Sequence, residues 1–258
     1  MWMRFPEHRA ILAGSAIAIL SGCASMSPEQ SIDRVNNDVA AFVDGQLVLA
    51  RSAEERQQRA EAAHKLLSAP LGQKEAVGLA LVNSQALQTL LAQGWVQSAE
   101  AVQSGRIANP VFGFERMVAG SELEVGRALS FGLLDLMTLP ARQQIASTRL
   151  EQARLRLAGE VVDHITRVRQ AWVRAVAARQ IHQYAQQVFQ SAEASAELAR
   201  RMQSVGNFSR LSRAREQVFY ADAATRLATA RHQAISSREE LIRLLGLDAS
   251  QAQLLQLP

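Results

Sequence analysis

Residues 109–142 read NPVFGFERMVAGSELEVGRALSFGLLDLMTLPAR, and the periodicity of this stretch decides the fold. Asn109-Pro110 ends any helix before it, because the residue ahead of a proline is pushed out of the α region. Val111 to Met117 then reads as a strand, and Ala119-Gly120-Ser121 as a turn. From Glu122 the alternation is nearly strict. Leu123, Val125, Arg127, Leu129, Phe131 and Leu133 share one face, and Glu122, Glu124, Gly126, Ala128, Ser130 and Gly132 share the other. A strand of about 9–11 residues, apolar on one side and polar or small on the other, suits a membrane barrel. It equally suits a half-buried strand in water, so the flanking sequence has to decide between them. The expected hairpin spans 110–134.

On both sides the period is helical. Upstream, Ala76, Leu79, Ala80, Val82, Ala86, Leu87, Leu90, Leu91, Trp95, Ala99 and Val102 recur near every 3.6 residues. This predicts one helix over 73–105, with Gly105 as its cap. Downstream, Leu139-Pro140 is read as a helix start, since proline is accepted in the first turn. Only Gly159 interrupts the run to Gly206, a length that points to coiled coil rather than a globule. Val161, Ile165, Val168, Trp172 and Val176 form a near-heptad seam, placing Trp172 in a core, as Trp95 is upstream. Ser204-Val205-Gly206-Asn207 is a turn. Phe208 to Leu245 returns with a seam at Leu211, Ala214, Val218, Ala221, Thr225 and Ala228, closed by Gly246. The helical hairpin is thus expected over 139–246 and a linker over 247–258.

The amino terminus reads as an address. Arg4 and Arg9 precede the apolar or small run Ala10–Leu20, the secretory pattern, and the run is too short to span a bilayer comfortably. Leu20-Ser21-Gly22-Cys23 resembles the lipobox of bacterial lipoproteins, in which cleavage before the cysteine is followed by acylation of its thiol. Residues 1–22 are then a signal peptide and Cys23, the only cysteine of the 258 residues, is the lipid attachment site. That resemblance, with Ala24 rather than an aspartate following, implies sorting to the outer membrane. Residues 23–72 read as a polar tether carrying two short helices, over 31–38 and 54–67, and ending at the breaker Ala69-Pro70-Leu71-Gly72.

Composition removes other classes. The net charge is +4, but basic and acidic residues are interspersed, so the clustered basic face of a nucleic-acid binder is missing. The five histidines are scattered. Glu160 and His164 share a helix face, and two ligands without a third read as a surface pair rather than a metal site. With the one cysteine assigned to lipid and no interpretable Ser, His and Asp set, no enzyme is expected, and no cofactor beyond the covalent lipid.

Several strings of residues, in this order, resemble the TolC-like outer membrane efflux protein family, in its lipoprotein branch. They are Glu75-Ala76-Val77 through Ala80-Leu81-Val82-Asn83, and Ala99-Glu100 through Asn109-Pro110. Next come Leu139-Pro140-Ala141-Arg142 and Gly206-Asn207-Phe208-Ser209-Arg210-Leu211. Arg238-Glu239-Glu240-Leu241 through Leu244-Leu245-Gly246-Leu247 completes the set, which covers residues 66–258. The resemblance implies a mainly α fold with a β-hairpin: a long antiparallel coiled-coil hairpin plus two transmembrane β-strands. It implies a trimeric passive duct that receives substrate from an inner-membrane pump through a periplasmic adaptor. The adaptor would dock at the helical tip, here Val205, Gly206, Asn207, Ser209 and Leu211. Glu122 and Glu124 would face the lumen as an acidic rim, in the way charged rings select ions in pores, or else serve only as solvent-facing charges that keep the chain soluble. Phe112 and Phe114 would join an aromatic girdle or pack on the neighbouring strand.

The chain departs from the family in carrying one repeat where a full subunit has two. It is therefore expected to be a truncated product, or else a subunit of which six copies assemble in place of three. The alternative function is a lipid-anchored periplasmic scaffold or adaptor. An adaptor would place a compact β-rich domain on each side of the helical hairpin, and a scaffold has no use for a strand alternating over twelve residues.

Overall fold

The computed structural model describes residues 28–120 and 122–258. The fold is mainly helical with one two-stranded antiparallel sheet. Its elements are α1 (Pro28–Val39), α2 (Ala53–Leu66), α3 (Gln73–Asn83), α4 (Gln85–Ser104), β1 (Val111–Ala119), β2 (Glu122–Ser130), α5 (Leu133–Ser204), α6 (Arg210–Leu245) and α7 (Ala249–Leu254). Among the described residues, no helix is long and apolar enough to cross a membrane.

The segment expected to be a tether is instead part of the core. Ile32, Val35, Val39 and Val43 recur at helical spacing, and all four are buried with Leu47 against α3, α4 and α5. Asn36 fixes the return of the chain: its amide donates to the Leu47 carbonyl at 3.2 Å and its Oδ1 accepts from the Leu47 N–H at 2.8 Å. α2 starts on a full capping box, with Ser52 and Glu55 each bonding the other's backbone.

The helix expected over 73–105 is two helices. Ser84 has extended backbone (φ −65°, ψ 116°) and serves both as C-cap of α3 and as N-cap of α4, its hydroxyl accepting from the Leu87 N–H. The interruption lets α3 act as a wedge between two apolar clusters. Val77 and Leu81 point into the one built on α1 and α4, and Ala76, Leu79 and Ala80 into the other. That second cluster joins α2, α3, the middle of α5 and the end of α6 through Leu67, Leu71, Val168, Ala171, Leu241 and Leu245. Asn83, next to the break, donates to the carbonyls of Leu245 (3.3 Å) and Gly246 (2.8 Å). Gly246 closes α6 at φ 70°, and a Cβ there would lie 2.9 Å from both Asn83 O and Ser84 Cα, so glycine is required twice over.

The carboxy-terminal stretch expected to be a linker is also packed. Asp248 and Gln251 form a capping box that starts α7, and Leu255 and Leu257 are buried. The Leu71 N–H donates to the Gln256 carbonyl at 2.8 Å, tying the carboxy-terminal segment to the connection between α2 and α3.

The hairpin is in the register Val111↔Ser130 through Ala119↔Glu122, with Gly120 (φ 64°) in the turn. The strand ends at Ser130, short of Leu133, and α5 begins at Leu133, six residues ahead of the expected start at Leu139. Pro140 therefore lies inside α5. Having no N–H, it leaves the Leu136 carbonyl without its helical donor. At its 72 residues α5 is about 108 Å long. Its first half lies against α1, α3 and α4. Its second half runs antiparallel to α6, as the contacts Arg174–Glu240, Phe189–Tyr220 and Gln203–Arg213 show.

The α6 seam expected from sequence points the wrong way. Leu211, Ala214, Val218, Ala221, Thr225 and Ala228 are all exposed. The stripe that meets α5 is Ala223, Ala230, Ser237, Leu241 and Leu244. On α5 the expected residues are in place: Val161, Ile165 and Val168 are buried and Trp172 half-buried, its indole N–H donating to the Leu71 carbonyl at 2.8 Å. Trp95 is half-buried as well.

Candidate functional site

Two regions at opposite ends of α5 carry the residues singled out from sequence. At the far end the chain turns from α5 into α6. Gly206 adopts φ 83° with open space around it, so its requirement is one of backbone conformation alone. The Asn207 N–H donates to the Met202 carbonyl (2.9 Å) and the Gly206 N–H to the Gln203 carbonyl (3.1 Å), closing the helix end. Ser209 caps α6 through a 3.0 Å bond from the Ser212 N–H, and Arg213 reaches across the turn to Gln203 at 2.7 Å. Val205, Gly206, Asn207, Ser209 and Leu211 are thus brought together on one exposed tip, with Val205 and Leu211 presenting apolar side chains to solvent. Glu197, within two turns of the tip, is held between Arg200 and Arg201 (2.8 and 2.7 Å), whose hydrogen bonds lower its carboxyl to a pKa of about 2.

At the near end stands the hairpin. Side chains of Val111–Val118 and Leu123–Ser130 are all exposed. The register puts Phe112, Phe114, Arg116 and Val118 on one face with Leu123, Val125, Arg127 and Leu129. The opposite face holds Gly113, Glu115 and Met117 with Glu124, Gly126 and Ala128. Glu124 is where the alternation put it. Glu115 joins it on that face, a residue the sequence reading passed over; carrying the period-two count back into β1 finds it. Glu122 pairs with Ala119 at the turn. Phe112 and Phe114, 65% and 62% exposed, are not packed within the chain. The apolar exposure continues past the strands into the first turns of α5, at Leu133 (67%), Leu134 (72%) and Met137 (75%).

The Glu160–His164 surface pair is not what forms. Glu160 is exposed, whereas His164 is buried, its Nε2 3.2 Å from Ser84 Oγ at the α3–α4 break. Burial, and secondarily Arg167, lowers its pKa below the usual histidine value. The described residues contain no group of three or more His, Cys, Asp or Glu able to hold a metal. Cys23 and the signal segment 1–22 lie outside the described residues.

No family model and no curated protein matches the chain. Among solved structures it is similar to a membrane protein from Pseudomonas aeruginosa, with a TM-score of 0.54 at 19% identity over 75% of this chain. The match covers 46% of that protein, so the chain spans less than half of its length. What the two share is a fold over the matched span.

Proposed function

We propose that the chain is a lipid-anchored component of an outer membrane duct, in which the hairpin contributes two strands to a β-barrel and α5–α6 a coiled-coil wall to a periplasmic tunnel. The observation that carries this reading is the hairpin itself. A two-stranded ribbon alone in water is marginal. This one has an apolar face with nothing over it, an acidic and small-residue face, and two unpaired edges. Lipid tolerates strands only in closed barrels, so edge pairing with further hairpins and lipid cover on the apolar face answer all three needs together. The similarity to a membrane protein of the same fold agrees with membrane association.

Under this reading Cys23 carries the lipid. Glu124, with Glu115 and Glu122, lines the lumen at the mouth, and the tip from Val205 to Leu211 receives a periplasmic adaptor that links the duct to an inner-membrane pump. Transport is passive and no catalysis is involved. Self-association closes the barrel; with two strands per chain this takes more copies than the three two-repeat subunits of the family the sequence resembles.

The test is expression with the signal segment intact, extraction in detergent and reconstitution into a planar bilayer. The proposal expects a heat-modifiable oligomer and cation-preferring conductance steps. A chain that becomes soluble and monomeric once the lipid is removed would instead be a periplasmic scaffold or adaptor.

A further inference from the structure

We infer that Arg116 and Arg127 form a clamp for the phosphate group of an anionic membrane lipid; the inference rests on the reading that the hairpin lies in a bilayer. Both arginines stand on the otherwise apolar face. Arg116 is opposite Val125 and Arg127 opposite Phe114, which makes them diagonal neighbours two rows apart on adjacent strands. Such positions lie about 7–8 Å apart, within reach of two long side chains converging on one group. Both are exposed, and neither has a hydrogen-bonding or ionic partner among the described residues. The strand carboxylates Glu115 and Glu124 project from the opposite face. The only thing a lipid-facing surface meets is lipid, so the partner with matching charge is a phosphate, which the planar guanidinium binds through paired hydrogen bonds.

Depth agrees with this. A guanidinium at the bilayer midplane is costly, and the cost fades near the interface. The exposed apolar band does not stop at the strand ends: it continues from Phe112 and Leu129 down through Phe131, Leu133, Leu134 and Met137. Counting from the turn, Arg116 and Arg127 occupy the fourth and sixth paired rows of nine. About three rows, or roughly 10 Å of strand, lie below Arg127, and the apolar start of α5 follows. The band also extends to the turn side of the pair, through Val118 and Leu123 in the second row, so the arginines stand in its turn-side half and their long side chains reach the headgroups by extending toward the turn.

The test uses the full chain, native and as Arg116→Gln/Arg127→Gln, reconstituted in phosphatidylcholine vesicles containing one-tenth phosphatidylglycerol. Lipid retained by the detergent-extracted oligomer is then compared with the bulk mixture. Attraction to anionic lipid is about fivefold for each arginine near the surface, so the native chain should retain phosphatidylglycerol several-fold above bulk. The double Gln variant should insert equally well and fall to the bulk ratio, while Arg116→Lys/Arg127→Lys keeps most of the enrichment. An inserted native oligomer at the bulk ratio overturns the clamp and leaves the duct reading standing. Enrichment that survives in the Gln variant also overturns it. So does loss of the oligomer in that variant at unchanged lipid ratio, which would assign the arginines to contacts with a second copy. A native chain that never enters the vesicles removes both readings.

Discussion

Ser84 and His164 show how much of this fold rests on a few polar atoms in an apolar setting. Ser84 is fully buried, caps α4 and lies 3.2 Å from His164 Nε2. Ser84→Ala removes the cap and leaves the imidazole without a partner. A loss of about 1 kcal/mol is expected from the cap alone, read as a lowered Tm or a shifted denaturant midpoint at unchanged slope. His164 adds a pH dependence of definite sign. Its folded pKa is lowered below the ordinary 6.5, so the unfolded chain takes up a proton first as pH falls. Its contribution is complete above about pH 6.5 and is lost as pH drops from there toward the lowered folded value. Denaturation measured between neutral and mildly acidic pH should show stability falling with acid, and His164→Gln should flatten that fall. Neither role was legible in the chain. Ser84 sits in a run with perfect helical period, and the burial of His164 depends on α3 and α4 arriving from eighty residues away.

At the scale of elements, the hairpin and the two turns were legible from local sequence. The alternation from Glu122 to Ser130, the turn at Gly120 and the tip at Gly206 all depend on neighbours in sequence, and the structure places strand, turn and tip there. Phase on α6 was not readable, because that helix carries two stripes of small residues and either could meet a partner. The stripe at Leu211, Ala214, Val218 and Ala221 is the more regular heptad, yet it faces out, while Ala223 and Ala230 meet α5. A pair of variants checks the assignment. Ala223→Leu forces a larger side chain into the α5–α6 interface and should cost about 1–3 kcal/mol. Ala221→Leu, two residues away and exposed, should stay within about 0.5 kcal/mol in the isolated chain. Thermal melts of the two suffice, and a reversed ranking would restore the phase expected from sequence. The start of α5 was missed for a different reason: Pro140 marks a first turn in most helices, and here the helix begins one turn and more before it.

For the whole molecule, the two ends of α5 present different surfaces: a capped tip with Val205 and Leu211 exposed, and a hairpin with one mainly apolar face and one acidic, both open. The intervening body is self-sufficient, with α1 and the carboxy-terminal segment both packed where sequence pointed to a tether and a linker. Those two segments were misread because their aliphatics are sparse and gain meaning only against α3 and α5. The proposed duct requires Leu123 to Leu129 to cross a bilayer as a strand with one face to lipid and one to water. The direct measurement is a single-site label scan over residues 123–129 of the reconstituted chain, comparing quenching by a lipid-soluble and a water-soluble reagent. Alternation with period two is expected, with 123, 125 and 129 reached from lipid and 124, 126 and 128 from water. Uniform access from water along the whole strand would contradict it.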